Sequence, residues 1–516
     1  MAISNGLEFD VIASFLEIVR TQPDYPAVVE NGSVVTYRRL SELAASVASS
    51  IKPRTNLHDA PIAIIENFSA YSIAGVLGIL AAGRCFCAVD PSIPPDGQTA
   101  MLDAAGVEEL VATLPADPIP DVQRVLRPVW SDAELTVDQV VAPPQSSPAY
   151  ILFTSGTTGV RKGAVLPRSA LSTVVPELVR LYDIRPTDKV LHFTPLFWDT
   201  SLEEILPTLT QGATLVIDNY ATTDLLGVLA SQKVTVLNLP TSYWGEFVSD
   251  LLDSRSEIPS SLRTAVIGGE ALRMDMLDKW RRLDAKHVRL VNTYGATETG
   301  MVTHAIDLTE FEVGVDGTSS SALPLGRPLP HVSQKLVDKA GREVTAAGAE
   351  GELYLSGENI ALEYRGQPEL TARRLPELDL GDGTRRYFRT GDIMQTDQSG
   401  CLYFRGRVDH VIKVRGIRVD ITEIEAWVAS HPDVRAVAVV EAMKGDHNTL
   451  IGYVVAEPNV DEQLFIGSIL RYLGANVPRY LIPGRLQSVP ALKYTTTRKV
   501  DRIATRRYYE NEHRVH

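Results

Sequence analysis

Short apolar runs that are typical of buried strands alternate with segments of helical periodicity through the first half of the sequence. The run PIAIIE at Pro61–Glu66 is followed by SAYSIAGVLGILAAG at Ser69–Gly83, which has the length and continuous apolarity of a buried helix. The further strand candidates are CFCAVD at Cys85–Asp90, ATLVID at Ala213–Asp218, TVLNLP at Thr235–Pro240, TAVIGG at Thr264–Gly269 and RLVNTY at Arg289–Tyr294. This alternation predicts an α/β fold with layered, largely parallel sheets, in which ligands bind beyond the carboxyl ends of the strands.

The pattern changes near residue 320, where short strands are divided by Gly- and Asp-rich turns and indicate a β-rich subdomain. After Arg407 the sequence predicts a smaller α+β unit, with a helix at Thr422–His431. A chain of 516 residues is too long for one hydrophobic core. We therefore expect a large N-terminal domain at 1–408, a small mobile C-terminal domain at 409–516, and a hinge at Asp409.

The charge balance excludes some partners. The formal net charge is −14, which argues against nucleic acid and anionic membranes as partners, because both attract positive surfaces.

The longest apolar stretch, Ile73–Gly83, is too short to span a bilayer. The N-terminus lacks the features of a signal peptide and is typical of an amphipathic helix, so we expect a cytoplasmic protein. The cysteines are few, and Cys85 and Cys87 are better explained as buried strand residues than as metal ligands.

The loop FTSGTTGVRKG at Phe153–Gly163 follows an apolar strand candidate at Ala149–Phe153. Its glycines allow backbone N–H groups to face an anion, its hydroxyls add donors, and Arg161 and Lys162 add positive charge. The loop does not match the G-x-x-x-x-G-K-[ST] pattern of a Walker A loop. It predicts a phosphate-binding site; a polar surface turn is the alternative.

At this loop the sequence resembles the adenylate-forming superfamily, which includes acyl-CoA synthetases, luciferases and the adenylation domains of nonribosomal peptide synthetases. Within it, the chain is similar to freestanding amino-acid adenylation domains. The resemblance covers nearly the whole chain, although Arg161 stands where the family usually has Pro. The supporting motifs occur in the family's order: VTYRRL at Val35–Leu40, ILAAGRCFCAVDPSIP at Ile79–Pro94, NTYGATETG at Asn292–Gly300, YFRTGD at Tyr387–Asp392, GRVDHVIKVRGIRVDITEIE at Gly406–Glu425 and TTTRKVDR at Thr495–Arg502.

The resemblance implies that the enzyme uses ATP and Mg²⁺, that Tyr294 stacks on adenine, that Asp392 binds the ribose hydroxyls and that Glu298 holds the metal. The structural alternatives are a helix-start carboxylate for Glu298, a turn former for Asp392 and a surface ion pair for Arg407. The implied ATP-binding residues are Thr154, Ser155, Gly156, Thr157, Thr158, Lys162, Gly269, Asn292, Tyr294, Asp392 and Arg407. The implied catalytic residues are Thr297, Lys413 and Lys499, and the implied hinge residue is Asp409.

Lys499 is expected to bridge the substrate carboxylate and the α-phosphate. The family usually has Asn-Gly before this lysine, whereas Thr497 and Arg498 precede it here. Lys493 therefore stays open as the alternative. The resemblance also implies that the small domain then rotates about Asp409 and brings in Lys413 and Gly416 for attack by a thiol.

The segment FTPLFWDTSLEEIL at Phe193–Leu206 bears on the choice of acid. Amino-acid-activating relatives carry an Asp here that pairs with the substrate ammonium, and Asp199 matches it. The alternative is a helix N-cap at Asp199, Thr200 or Ser201, closed by Glu203 or Glu204 in a capping box. Further matched positions imply a rather polar substrate pocket formed by Trp198, Thr200, Glu203, Asn238, Val266, Gly268, Thr293, Met301 and Val302.

We therefore expect an ATP-dependent enzyme that forms an aminoacyl-AMP and loads the phosphopantetheine thiol of a separate carrier protein in natural-product biosynthesis. A polar or basic amino acid, or a β-amino acid, would suit Glu203 and Asn238. The alternatives are a CoA ligase for a plain acid, an amide-forming ligase and a non-catalytic adenylate-binding or scaffold protein. The sequence leaves the side chain, the stereochemistry, the acceptor and the oligomeric state open.

Overall fold

The computed structural model describes residues 9–52, 60–114, 120–154, 162–270, 272, 274–311, 323–408, 411–414, 417–444, 447–457, 460–493 and 500–512. The helices are α1 Val11–Thr21, α2 Tyr37–Ser50, α3 Ala70–Ala81, α4 Pro95–Ala105, α5 Arg168–Tyr182, α6 Thr200–Thr210, α7 Leu225–Gln232, α8 Thr241–Ser254, α9 Met274–Arg281, α10 Pro368–Arg374, α11 Ile421–Ala429, α12 Glu462–Asn476 and α13 Arg502–Glu512. Short 3₁₀ turns lie at Val137–Gln139, Thr297–Thr299 and Arg479–Leu481.

The strands of the first part of the chain are β1 Pro26–Glu30, β2 Ser33–Thr36, β3 Ile62–Ile65, β4 Phe86–Val89, β5 Glu109–Val111, β6 Arg124–Leu126, β7 Pro148–Thr154, β8 Lys162–Pro167, β9 Lys189–Leu191, β10 Thr214–Ile217, β11 Val236–Pro240, β12 Thr264–Gly268, β13 Arg289–Gly295 and β14 Val302–Asp307. The later strands are β15 Pro324–Pro328, β16 Ser333–Val337, β17 Glu350–Ser356, β18 Glu363–Tyr364, β19 Glu377–Asp379, β20 Thr384–Arg386, β21 Phe388–Thr396, β22 Leu402–Arg407, β23 Val411–Val414, β24 Ile417–Asp420, β25 Val434–Lys444, β26 His447–Ala456 and β27 Arg485–Ser488.

The strands predicted in the first half form as expected and belong to two sheets. The larger sheet has the order β2-β1-β10-β9-β11-β12-β13-β14-β15-β22-β21-β17-β16, and β1 through β13 in that order pair in parallel. The second sheet has the order β6-β5-β3-β4-β7-β8-β18 and is parallel from β6 to β7. The predicted α/β fold with layered, largely parallel sheets is confirmed.

The β-rich region predicted after residue 320 does not form a sheet of its own. Its main strands extend the larger sheet in antiparallel fashion through the pairs β13–β14, β14–β15 and β15–β22. The switch to antiparallel pairing occurs at β13, whose next strand along the chain, β14, returns after a short turn. The candidate ribose-binding motif at Tyr387–Asp392 is thereby joined to the parallel strands through continuous hydrogen bonding.

Helices α1, α2, α3, α5 and α6 contribute to the largest apolar core, whereas α4 packs in a separate apolar cluster with β3, β4 and β5. Helix α1 begins at the N-cap Asp10, whose carboxylate accepts from the Ala13 amide at 2.8 Å, and buries one face of Val11, Ile12, Phe15, Leu16 and Val19. Helix α3 is buried along nearly its whole length, as its apolarity predicts. Within the described residues, no helix has the length and apolarity needed to cross a bilayer.

The last part of the chain has cores of its own. Strands β25, β26 and β27 form a small sheet, and helices α11 and α12 bury apolar residues against it. This matches the α+β unit predicted after Arg407, while Asp409 itself lies outside the described residues. Cys85 and Cys87 are buried on and beside β4 and carry free thiols, as the apolar interpretation predicts.

Candidate functional site

A cavity lies at the carboxyl ends of the parallel strands β11, β12 and β13, where the fold class predicts a ligand site. It encloses about 1350 Å³ of empty space, part of which is open solvent. Many of the residues singled out from the sequence line it: Thr154, Trp198, Asp199, Thr200, Glu203, Asn238, Gly268, Gly269, Thr293, Thr297, Met301, Val302, Asp392 and Arg407. Segments distant in the chain therefore meet in one cavity.

One end of the cavity is organised around the carboxylate of Asp392. The hydroxyl of Tyr294 donates to Asp392 Oδ2 at 2.5 Å, and Arg407 forms an ion pair with Asp392 Oδ1. Arg407 is fixed in turn by a hydrogen bond from its Nη2 to the Thr390 carbonyl at 3.1 Å. Asp392 and Arg407 face each other in the register of β21 and β22. The carboxylate is thus held in place by two donors while it faces the cavity.

The same contacts affect the titration of Tyr294. Burial above all, and then the negative charge of Asp392, raise the pKa of the Tyr294 phenol well above its usual range. The phenol therefore stays protonated and remains a hydrogen-bond donor to Asp392. The Tyr294 ring is buried and lies edge-on to His304, with ring centroids 5.7 Å apart.

Another part of the cavity wall is formed by the first turn of helix α6. Glu203 is buried there, and its Oε2 accepts from the Tyr182 hydroxyl at 2.6 Å and from Asn238 Nδ2 at 3.1 Å. Burial, above all, raises the pKa of Glu203 to about 8; the hydrogen bond from Tyr182 opposes this effect and the charge of Asp199 adds to it. A buried carboxyl held by two neutral donors is a strong site for a cationic group.

The N-cap alternative for this turn is not realised. Asp199 occupies the N-cap position of α6, but its backbone is helical and its side chain makes no capping hydrogen bond. Neither glutamate closes a capping box, since Glu203 bonds to Tyr182 and Asn238, whereas Glu204 bonds to Thr194. The Asp199 side chain instead lines the cavity.

The segment before Asp199 is anchored by two buried carboxylates: Glu204, which the sequence suggested only as a capping-box residue, and Glu66, which sequence reasoning missed. Glu204 accepts from the backbone N–H groups of Phe193 and Thr194 and from the Thr194 hydroxyl at 2.9 Å, and its Oε2 lies 2.8 Å from Nδ1 of His192. Glu66, at the end of β3, accepts from the Leu196 N–H at 2.5 Å. No local signal marks Glu66, because its partner lies 130 residues away in the chain.

Thr297 and Glu298 belong to the 3₁₀ turn that follows β13. Thr297 lines the cavity, whereas Glu298 is 1% exposed and its Oε1 accepts from the Tyr364 hydroxyl at 2.6 Å. Tyr364 was also missed in the sequence. Among the described residues no cluster of three or more His, Cys, Asp or Glu side chains could form a metal centre. Glu298 is not among the residues that line the cavity, but it follows Thr297, which is; a carboxylate at this point suits a Mg²⁺ ion that takes its other ligands from phosphate and water.

Close backbone approach explains the glycine at the end of β12. A Cβ added to Gly268 would lie 2.4 Å from the Thr293 Oγ1, which already donates to the Ile267 carbonyl at 3.0 Å. Gly269 has a φ of 86°, a conformation that a residue with a side chain rarely adopts. Larger residues at these two positions would intrude on the cavity or strain the strand end.

Some predicted residues do not line the cavity. Val266 is buried in the sheet, and the amide of Asn292 is buried and donates from Nδ2 to the Pro324 carbonyl at 3.2 Å. Lys162 begins β8 opposite Thr154. Lys413 lies on β23, and its side chain is not described. Outside the described residues lie Ser155, Gly156, Thr157, Thr158, Arg161, Asp409, Gly416, Thr497, Arg498 and Lys499.

Two family models match most of the chain. The family model for AMP-binding enzymes matches residues 15–365, and the model for the AMP-binding enzyme C-terminal domain matches residues 423–499. The chain is 32% identical over 497 residues to the isonitrile lipopeptide synthase of Streptomyces coeruleorubidus, which covers 93% of this chain. The chain spans 32% of that synthase's length.

Solved structures show the same fold. The Vibrio cholerae adenylation domain AlmE, in complex with glycyl-adenosine-5'-phosphate, superposes with a TM-score of 0.81, at 20% identity over 99% of both chains. NpsA-ThdA, an artificially fused adenylation-PCP di-domain from Klebsiella oxytoca, has a TM-score of 0.79, at 23% identity over 94% of both chains.

Proposed function

The chain belongs to the AMP-binding enzyme family, and from this premise we propose that it activates an amino acid as its aminoacyl-AMP and passes the aminoacyl group to the phosphopantetheine thiol of a carrier protein. One observation carries the proposal. Asp199, which does not cap its helix, lines the same cavity as the Asp392–Arg407 pair. A carboxylate suited to an ammonium group and a carboxylate suited to a vicinal diol thus line one cavity, which supports the proposal.

The nucleotide would bind at the Asp392 end. The carboxylate of Asp392 accepts two hydrogen bonds well and suits the ribose hydroxyls, while Tyr294 and Arg407 keep it oriented. Lys162, at the start of β8, would contact the phosphates together with the loop between β7 and β8. Glu298 would hold Mg²⁺, which neutralises phosphate charge when it is bound.

The first reaction joins a substrate carboxylate oxygen to the α-phosphorus of ATP. The bond from that phosphorus to its bridging oxygen breaks, and pyrophosphate leaves with the electron pair. Catalysis of this step depends mainly on positioning and on cations around the developing negative charge. We assign these roles to Thr297, which lines the cavity, and to Lys499 from the C-terminal part.

In the second reaction a thiolate attacks the carbonyl carbon of the adenylate, and AMP leaves. We propose that residues 409–516 turn about Asp409 between the two reactions and bring Lys413 to the cavity. Tyr480 already lines the cavity together with residues of the large sheet, so the C-terminal part lies against the site in this conformation.

We further propose that the substrate carries a basic side chain. Asp199 and Glu203 lie on successive turns at the start of α6, and both line the cavity. With a pKa of about 8, Glu203 is mostly protonated near neutral pH when no cation is present. An ammonium or guanidinium group beside Glu203 would favour its ionised form, so that each cationic group of a diamino acid has its own carboxylate.

A pyrophosphate-exchange panel tests the proposal. The purified protein is mixed with ATP, Mg²⁺ and, in turn, α- and β-amino acids with basic, acidic, hydroxylated or apolar side chains. We expect exchange with ornithine, lysine, arginine or a β-amino relative well above that with leucine or phenylalanine. The absence of exchange with every amino acid would contradict amino-acid activation itself.

The acceptor is tested separately. We expect the aminoacyl group to appear on a carrier protein that bears phosphopantetheine and not on the same carrier without it. Thioester formation with free CoA alone would favour a CoA ligase. Product formed with an amine in the absence of any carrier would favour an amide-forming ligase.

A further inference from the structure

We propose that Glu66 is a positioning residue for the amino-acid end of the cavity. Its carboxylate ties the segment that carries Asp199 to the end of β3. Glu66 is 4% exposed, and its Oε2 accepts from the backbone N–H of Leu196 at 2.5 Å. Strand β3 belongs to one large sheet and the segment follows β9 of the other. This one side chain therefore links the carboxyl ends of two sheets beside the site.

The loop that carries Glu66 is itself rigidly held. The Phe68 N–H donates to Glu66 Oε1 at 2.6 Å, and Phe68 adopts a φ of 45°, a left-handed conformation that a bulky residue rarely takes. The Phe68 ring packs on His192, with ring centroids 5.3 Å apart. Backbone strain of this kind persists only where surrounding contacts determine the conformation. Both oxygens of Glu66 are used in this arrangement.

The anchored segment is short. Glu204 holds the amides of Phe193 and Thr194, Glu66 holds the amide of Leu196, and the next residues along the chain line the cavity from Phe197 to Thr200. Since Asp199 lies only three residues after Leu196 in the chain, we expect a shift at Leu196 to move the Asp199 carboxylate. Displacements of about 1 Å in a binding group can reduce activity about 100-fold.

The kinetic part of the inference rests on the proposed amino-acid activation, whereas its structural part does not. The structural test is hydrogen–deuterium exchange of the ligand-free protein. In Glu66→Ala we expect exchange at the amides of Phe193, Thr194 and residues 196–199 to become about tenfold faster, because the Leu196 N–H loses its acceptor. Glu66→Gln retains one acceptor oxygen, so its exchange rate in this segment should lie between those of Glu66→Ala and wild type. Unchanged exchange in this segment overturns the inference whatever the enzyme's substrate.

The kinetic test uses pyrophosphate exchange with the amino acid that the panel identifies. In Glu66→Ala we expect the KM for the amino acid to rise about 10- to 100-fold while the KM for ATP changes by less than about twofold. Glu66→Gln should recover part of the loss. An equal change in both KM values, or in neither, would show that Glu66 serves only the stability of the fold.

Glu109 provides a matched control for general destabilisation. It is a buried carboxylate of the same sheet, on β5 beside β3, and it pairs with Arg124. We expect Glu109→Gln to lower the melting temperature without changing exchange at residues 193–199 or the KM for the amino acid. If Glu109→Gln reproduced the Glu66→Ala pattern, the effect would come from the sheet as a whole and the inference would be wrong.

Discussion

The Tyr182 hydroxyl donates to the carboxyl group of Glu203 at 2.6 Å, at the point where helix α5 ends beside the first turn of α6. Asn238, at β11, donates to the same oxygen. The carboxyl group of Glu203 is thus held by one donor from a helix and one from a strand. Both of these donors are neutral. A carboxyl in such surroundings is costly to ionise, and this has a measurable consequence for stability.

We predict that Glu203 makes the free protein less stable as pH rises. Its pKa is about 8 in the folded chain, against 4.5 for an ordinary glutamate, so the folded state holds this proton more tightly than the unfolded state. The contribution of this bound proton to the free energy of unfolding is fully present below pH 4.5 and is lost as pH rises through about 8. Between pH 5 and pH 8.5, the melting temperature of Glu203→Gln should therefore rise relative to that of the wild type as pH increases.

The control for this pH series is Glu369→Gln, which changes an exposed carboxylate on helix α10. Its melting temperature should change with pH as that of the wild type does, from pH 5 to pH 8.5. A difference between Glu203→Gln and wild type that does not depend on pH would show that the Glu203 carboxyl ionises normally in the folded protein.

Asp199→Asn should reduce amino-acid activation strongly. Without the carboxylate, the substrate ammonium would enter the cavity with no opposite charge, and loss of one partner of a desolvated pair costs about 2–5 kcal/mol. We expect kcat/KM for the amino acid in pyrophosphate exchange to fall about 30- to 5000-fold, with the KM for ATP nearly unchanged. Asp218→Asn, the same change at the end of β10, should behave like wild type. Full activity of Asp199→Asn would favour a plain carboxylic acid as substrate.

Tyr294→Phe should weaken ATP binding without affecting the amino acid. The variant keeps the ring but removes the donor to Asp392, which then relies on Arg407. A hydrogen bond to a charged group contributes about 1.5–3 kcal/mol, so we expect the KM for ATP to rise about tenfold or more. Tyr243→Phe is the control, because its hydroxyl donates to the Thr222 carbonyl outside the cavity lining. An unchanged KM for ATP in Tyr294→Phe would mean that Asp392 does not depend on this donor.

The sequence predicted the parallel half of the fold because its evidence is local. Runs such as Thr264–Gly269 are apolar, short and followed by helical periodicity, and each became a strand; the ends of β11, β12 and β13 line the cavity. The continuation of the same sheet through β14 and β15 was not predictable in this way. Short strands look alike whether they form a separate sheet or extend an existing one, and the pairing of β15 with β22 joins residues far apart in the chain.

The site shows the same division. Motif positions such as Asp392 were identified through family resemblance, and many of them line one cavity. Glu66, Tyr182 and Tyr364 were missed, because a single polar residue at a strand end or on a helix is common and its role depends on a distant partner. Tyr364 lies 66 residues from Glu298, and the two meet where β18 pairs with β8. The capping-box alternative at Asp199 was wrong because of distant contacts as well: Glu203 and Glu204 bond to residues outside their own helix.

The last prediction separates the two candidate lysines near the C-terminus. Lys493 has its Nζ 3.4 Å from the centroid of the Tyr508 ring on helix α13, so its ammonium is already engaged in a cation–π contact. We expect Lys493→Ala to lower the free energy of unfolding by about 0.5–1 kcal/mol and to leave pyrophosphate exchange within about threefold of wild type. Lys499→Ala should instead reduce exchange about 100-fold or more with no loss of stability, because it removes a cation from the reacting phosphate.

Tyr508→Ala is the matched control for the contact of Lys493. It should destabilise the protein as Lys493→Ala does, and the double variant should be little less stable than either single variant, since both changes remove the same contact. Loss of exchange in Lys493→Ala with full exchange in Lys499→Ala would reverse the assignment and make Lys493 the catalytic lysine.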